Sequence, residues 1–282
     1  MANYSQVGLA GQVQGTLIVP HRPNDWGILV LGGSSGRVDV GRALLFADLG
    51  VTSLALRWFG GESQAPGICE VPLETFTLAV DYLRRHRCKR IAIVGTSKGA
   101  EAALLTAIHD ERVEAVFAIS PTSVTWGNIG PGYDGVAWPE RSSWTWNGKP
   151  LPFVPAVPSW QPKHQDGLIS YRGLFERCLE QSPDHLPAAT IPVELTAARL
   201  VVIAGGRDAL WPSDVFAQSI IQRRQMFGMQ ADLIYDPEAG HRVLLPGETT
   251  PKSALHAHGG NDEADARLGK AAWAVITQVL RS

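Results

Sequence analysis

No stretch of the 282 residues is apolar over anything near the ~20 positions that a membrane-crossing helix needs. The N-terminal segment, Met1–Gly11, lacks the basic residues and following apolar run of a secretory signal. Cysteine is scarce. Cys69, Cys88 and Cys178 are odd in number and none shares a CxxC or similar spacing, which argues against a disulfide framework and a zinc site. An excess of one charge is also missing. Lys and Arg total 25 against 27 Asp and Glu, the net charge is -2, and no basic stripe appears, so nucleic acid and anionic membrane surfaces are excluded as partners. There is no internal repeat and no low-complexity tract. These absences predict a cytoplasmic protein with buried free thiols and no bound metal.

What is present is ample apolar material: 45% of residues are hydrophobic, enough for one large α/β domain or one that carries an insertion. Short apolar runs alternate with helix-period segments, the pattern of a mostly parallel sheet flanked by helices. Thr16–Val19, Ile28–Leu31, Thr52–Leu56, Arg90–Val94 and Val113–Ile119 read as strands. Val38–Leu49 reads as a helix stopped by Gly50, and Leu73–Leu83 as a second helix, with Pro72 at its start. After Ser97, the residues Ala100, Ala103, Leu104, Ala107 and Ile108 line one helical face. The texture then changes. From Pro121 to about Glu194 the chain is rich in Pro, Gly and Trp, and Trp126, Trp138, Trp144, Trp146 and Trp160 all fall in it. A connection this long is expected to be an insertion over one end of the sheet. The alternation resumes with a strand at Leu200–Ala204, a helix at Ser213–Phe227, a strand at Asp232–Tyr235 and a closing helix from Asp262 to Leu280.

Gly95-Thr96-Ser97-Lys98-Gly99 fits G-x-S-x-G, a serine on a tight turn between a strand and a helix. Glycines two residues either side relieve the crowding of such a turn, and the helix N-terminus lies beneath a developing oxyanion. The pattern is weak by itself, but here a strand precedes it directly and a helix-period segment follows. A serine nucleophile needs an acid and a base downstream, in that order. Asp208 follows the strand Leu200–Ala204, and His241 follows the next strand by a short loop, so both are expected at the sheet's C-terminal edge. Asp214 is the rival acid, but it falls in a helix start, where dipole effects alone favour a carboxylate. His256 and His258 form an H-x-H that lacks an evident third metal ligand. The loop Leu31–Gly36 is expected to supply one oxyanion donor near Gly33 or Ser34, with the Lys98 N–H as the second. That loop lacks the G-x-G-x-x-G spacing and lysine of a phosphate loop. Lys98 and Glu101 are spaced to pair on the helix. The tryptophans are expected to pack the insertion, with Trp144 and Trp146 as candidate lining of an acyl or aromatic pocket.

From about Trp26 to the end, the chain resembles the C-terminal catalytic domain of the acyl-CoA thioesterase and bile acid-CoA:amino acid N-acyltransferase family, related to the dienelactone hydrolases. The resemblance rests on Leu54-Ala55-Leu56-Arg57-Trp58-Phe59, on Gly95 to Glu101, on Ser142 to Trp146 with Gly148 to Pro152, on Gly205 to Ser213 and on Ala239-Gly240-His241. It implies a single α/β-hydrolase domain over residues 1–282, with a cap insertion at about 121–194. It also implies Ser97 as nucleophile with Asp208 and His241 as partners, an acyl thioester as substrate, and no cofactor. Members acting on long-chain acyl-CoA carry a further N-terminal β-sandwich, whereas here only the residues ahead of Trp26 precede the core, so the resemblance does not imply a long-chain or bile-acid acyl group. Hydrolysis of a small ester or lactone, transfer of the acyl group to an amine, and a binding protein on a hydrolase fold are the other readings.

Overall fold

The computed structural model describes residues 3–157, 159–249 and 252–282; Met1 and Ala2, part of the segment read above for a signal, lie outside the described residues. Eight strands form the main sheet: β1 (Tyr4–Leu9), β2 (Gln14–Pro20), β3 (Trp26–Leu31), β4 (Thr52–Arg57), β5 (Arg90–Thr96), β6 (Val113–Ile119), β7 (Arg199–Gly205) and β8 (Asp232–Asp236). Their spatial order is β1-β2-β4-β3-β5-β6-β7-β8. β1 and β2 are antiparallel to their neighbours and the rest of the sheet is parallel. This is the mostly parallel, helix-flanked α/β-hydrolase arrangement expected from the sequence.

The strands sort their side chains by the two-residue period of extended chain. Leu29 and Leu31, Ile91 and Ile93, and Val202 and Ala204 join the core on one face. Ile28 and Val30, Ala92 and Val94, and Val201 and Ile203 join the core on the other. Parallel strands buried on both faces read as continuous apolar runs, which is why β3, β5, β6 and β7 were legible. Helices α1 (Val40–Ala47), α2 (Glu74–Arg85), α3 (Lys98–His109), α4 (Arg172–Gln181), α5 (Leu186–Ala189), α6 (Ser213–Met226) and α7 (Asp262–Arg281) complete the fold. α2, α3 and α6 cover the first face, and α1 and α7 the second. α7 begins where Asn261 caps it, accepting the Ala264 N–H at 3.0 Å.

Three elements differ from the expectation. β1 was not anticipated: it is an edge strand with no fully buried side chain, so it carries no apolar alternation. Pro72 does not open α2; Val71–Pro72 pairs with Trp144–Thr145 of the insertion, and the helix starts at Glu74. The insertion itself holds α4, α5 and a hairpin of Lys163–Gln165 with Leu168–Ser170. Its first half is a wall of the core. Trp144 is fully buried between Trp58 and Phe76, with ring centroids 5.4 and 5.9 Å away. Its second half docks on the loop after β7, where Tyr171 and Arg172 donate their N–H groups to Ala209 O at 3.1 Å.

Candidate active site

Ser97 is held at φ 57° and ψ -122°, a backbone conformation that costs a non-glycine residue about 1–3 kcal/mol. The surroundings enforce it. The Ser97 N–H donates to Ile119 O at 2.9 Å, and its carbonyl accepts the N–H groups of Ala100 and Glu101, opening α3. A Cβ on Gly95 would lie 2.1 Å from Gly99 O, and one on Gly99 would lie 2.4 Å from Gly32 O. The two glycines therefore let strand, helix and the β3 loop converge beneath the serine, as the motif predicted.

The candidate residues leave the C-terminal ends of five neighbouring strands. Gly33 follows β3, Ser97 follows β5, Ser120 follows β6, Asp208 follows β7 and His241 follows β8. The register keeps those ends level, with Leu31 opposite Gly95, Thr96 opposite Ile119, and Ile119 opposite Ile203. β8 is three strands from β5, a separation of about 14 Å. The chain after β8 narrows that gap by folding back over the end of β7, as far as Ser120 at the end of β6. Gly205 has no Cβ to block it: one there would lie 2.4 Å from Ala239 O. The Arg207 N–H then donates to Ala239 O at 2.8 Å, and Ser120 Oγ donates to His241 O at 3.0 Å.

His241 and Asp208 meet directly. The His241 Nδ1–H donates to Asp208 Oδ2 at 2.7 Å, both side chains being buried. The other carboxylate oxygen accepts the N–H groups of Leu210 and Trp211, at 2.9 and 3.2 Å, so Asp208 is immobilised by its own turn. The Trp211 ring stands edge-on to His241, with centroids 6.0 Å apart, and its Nε1–H donates to Ser120 O at 3.1 Å. Asp214 is engaged elsewhere, paired with Arg172 at 3.0 Å. Between Ser97 Oγ and the imidazole no hydrogen bond is formed among the described residues, a common state for a nucleophile and base before substrate aligns them.

Gly33 lies against the serine; a Cβ there would sit 3.2 Å from Ser97 Cβ. Ser34 is exposed on the following turn. The first N–H groups of α3, beginning with Lys98, have no intrahelical acceptor and lie beside Ser97. The Lys98 side chain points the other way. It is buried, with Nζ 2.6 Å from Glu101 Oε2 and 2.8 Å from Ser143 Oγ, which leaves no ammonium for a substrate phosphate. Burial pushes its pKa down, and the Glu101 carboxylate opposes that shift.

The pocket role expected for Trp144 and Trp146 is corrected by their surroundings. Trp144 Nε1–H donates to Glu101 Oε1 at 2.7 Å inside the core. Trp146 stacks on His109 at the last position of α3, with centroids 4.4 Å apart. His109 is about 18 Å along the helix from Ser97, at 1.5 Å per residue. Their spacing in the sequence carried no sign that strand pairing with Val71–Pro72 would draw them to the helix flank. Trp144→Ala is therefore expected to cost about 3–5 kcal/mol in denaturant unfolding. It should shift the acyl-group preference of any surviving activity little; a changed preference at unchanged stability would return the ring to the pocket.

Ser120 and His258 were not singled out for this site, although Ser120 follows an apolar run and His258 precedes a pair of glycines. Ser120 is fully buried at φ 46°, at the end of β6. The His258 carbonyl accepts the N–H groups of both Ala209 and His241, at 3.2 and 2.8 Å, tying the loops of Asp208 and His241 together. Its ring stacks on His241 with centroids 6.2 Å apart, and burial, with the neighbouring His241 and Arg242, pushes its pKa down to about 4. His256 faces Tyr171 instead.

Asp265, in the first turn of α7, accepts the Gly240 N–H at 2.7 Å. Burial raises its pKa to about 6, outweighing that N–H and the Arg242 charge. The folded protein thus holds this proton more tightly than the unfolded chain, whose value is 3.8. Its contribution to stability is full below pH 3.8 and is lost as the pH rises through about 6. Asp265→Asn keeps an acceptor for Gly240 and should raise the Tm at neutral pH, with the gain vanishing near pH 4; an equal gain at both pH values would refute the assignment.

Residues 71–282 match the family model described as BAAT / Acyl-CoA thioester hydrolase C terminal. The chain belongs to this family. Among its curated relatives, acyl-coenzyme A thioesterase 6 of Mus musculus is 30% identical over 276 residues, covering 93% of this chain and 61% of the relative. Acyl-coenzyme A thioesterase 1 of Homo sapiens is 28% identical, covering 94% of this chain and 62% of the relative. The chain thus spans about three fifths of the length of these family relatives. Solved structures share the fold. One assigned to the dienelactone hydrolases, from Klebsiella pneumoniae, superposes with a TM-score of 0.57 at 15% identity, covering 99% of this chain and 98% of that one. Est1E of Butyrivibrio proteoclasticus, solved with ferulic acid, gives 0.52 at 15% identity and covers 95% of both chains.

Proposed function

We propose that the protein is a serine hydrolase that cleaves an acyl thioester of the acyl-CoA type through an acyl-enzyme on Ser97. The observation that carries this reading is the buried 2.7 Å bond from His241 Nδ1–H to Asp208, formed at the same sheet edge as the strained serine. With Nδ1 so occupied, Nε2 is the ring's acceptor. Ser97 Oγ attacks the thioester carbonyl while His241 Nε2 takes its proton, and the N–H of Lys98 with one from the Gly33–Ser34 loop holds the oxyanion. Collapse breaks the C–S bond, and the leaving thiolate takes the proton from His241. Water then attacks the acyl-Ser97 ester, His241 again accepting a proton, and the acid leaves as Ser97 Oγ is reprotonated. A thioester is favoured over a simple ester because the relatives matched over most of this chain are named acyl-coenzyme A thioesterases.

The chain is read as one α/β-hydrolase unit, in which the second half of insertion 121–194, docked on the Asp208 loop, is the part placed to cap the site. Three buried, unpaired thiols suit a reducing compartment such as the cytoplasm. The test is a turnover screen of CoA thioesters of graded acyl length beside p-nitrophenyl esters, with and without excess glycine or taurine. The free acid from a CoA thioester is the expected product. Turnover of esters alone would replace the thioester by a carboxylic ester, and dominant amide formation would make the protein an N-acyltransferase.

A further inference from the structure

Because Ser97 Oγ and the His241 ring are not joined by a hydrogen bond, their separation is set by whatever ties the elbow to the loop that carries the histidine. One tie runs through the backbone of β6 and Ser120. A second is made of side chains and comes from the other face of the sheet. Arg42, in the first turn of α1, is 5% exposed and its guanidinium bridges two segments far from it and from each other in sequence. Nε–H and one NH2 hydrogen donate to the two carboxylate oxygens of Glu248, at 2.6 and 2.8 Å. NH1 donates to Thr96 Oγ1 at 2.6 Å, and NH2 also donates to Val243 O at 3.2 Å. Glu248 Oε2 in turn accepts the Leu245 N–H at 2.9 Å.

We propose that Arg42 is a positioning residue for the reaction: clamped by Glu248, it ties Thr96, the residue before Ser97, to Val243, two residues after His241, and so sets the spacing of hydroxyl and imidazole. The inference rests on the serine-hydrolase reading above. Burying an ion pair is costly unless its geometry is good and its remaining donors are satisfied, and apolar side chains would join α1 to the sheet at least as well. What apolar residues cannot do is hold a hydroxyl and a carbonyl at a set distance from one another. A planar fork with fixed donor directions can, and a lysine cannot reproduce it. The distance matters because misplacing reacting groups by an ångström costs roughly 10²-fold in rate.

The sharpest variant spares the buried charges. Thr96→Val removes only the acceptor of the Arg42 NH1 bond at nearly constant volume, whereas Thr96→Ser keeps it. Thr96→Val is expected to stay folded with a melting temperature lowered by roughly a few degrees, because a buried donor of Arg42 loses its acceptor. It should lower kcat roughly tenfold and leave KM within about twofold, since the change acts on the alignment of the reacting groups. Thr96→Ser should stay within about twofold of the parent in both constants. Arg42→Lys should follow Thr96→Val, with a larger loss in kcat. A fluorophosphonate labelling time course, read by the mass of the Ser97 peptide, runs in parallel and should slow in Thr96→Val by the same factor as kcat. If the parent protein labels and Thr96→Val labels and turns over at the parent rate, the positioning role is wrong. It is equally wrong if Thr96→Ser is as impaired as Thr96→Val, because the hydroxyl would then not be what matters. A parent protein that never labels at Ser97 overturns the hydrolase reading itself, and the positioning role with it.

Discussion

Ser97→Ala should lower kcat by on the order of 10⁴-fold or more while the protein remains folded. The serine hydroxyl takes no part in the hydrogen bonding that holds the elbow; the backbone bonds to Ile119, Ala100 and Glu101 do that, and they survive the substitution. Alanine fits the space and inherits the positive φ without adding to it. What disappears is the hydroxyl proposed to form the acyl-enzyme, so any residual rate would come from the oxyanion donors and binding alone. A serine-directed phosphonate should add its mass to the Ser97 peptide of the parent protein and to none in the variant. Full activity in Ser97→Ala, or modification of another serine, would assign the nucleophile elsewhere.

Asp208→Asn should have an effect of nearly the same size for a different reason. Asn Oδ1 can still accept the N–H groups of Leu210 and Trp211, so the turn after β7 keeps its shape. The atom facing His241 Nδ1 becomes an amide nitrogen, a donor. The imidazole must then accept at Nδ1 and carry its proton on Nε2, the position from which it should take the serine proton. A loss of about 10⁴-fold in kcat with substrate binding largely retained is the expected result. Asp214→Asn is the control. It breaks a partly exposed pair with Arg172, worth less than about 1 kcal/mol, and should leave kcat unchanged. If Asp214→Asn proved the more damaging of the two, the acid would be Asp214.

Much of this was legible before any coordinates. Ser97 could be read because its surroundings are local: the strand, the two glycines and the helix that shape the turn are contiguous in the chain, and the steric conflict that demands glycine at 95 arises within it, although the one at 99 comes from the β3 loop. The buried strands announced themselves as apolar runs, and Asp208 and His241 by their places after the last two strands of the chain. β1 did not, because an edge strand exposed on both faces owes its conformation to the neighbour it pairs with. The tryptophans of the insertion, expected to pack but with Trp144 and Trp146 as candidate pocket lining, were ambiguous for a related reason. An indole in a Pro- and Gly-rich segment looks the same whether it lines a pocket or a core, and only the pairing of Val71–Pro72 with Trp144–Thr145, with Glu101 waiting below, decided for the core.

By itself, then, the sequence determined the α/β-hydrolase class, the elbow and the identities of Ser97, Asp208 and His241 as candidates, because each depends on periodicity or on a few adjacent residues. Only the tertiary structure decided that Asp208 and His241 meet, and that their loops lie at the same sheet edge as Ser97. The chain after β8 must return over the end of β7 to bring His241 back towards β5, and the contacts that hold it there, from Ser120, His258 and Arg42, come from segments up to 200 residues apart. Such contacts leave no local pattern, since hydrogen-bond geometry across a sheet edge is a property of where the chain passes through space and not of its neighbours along it.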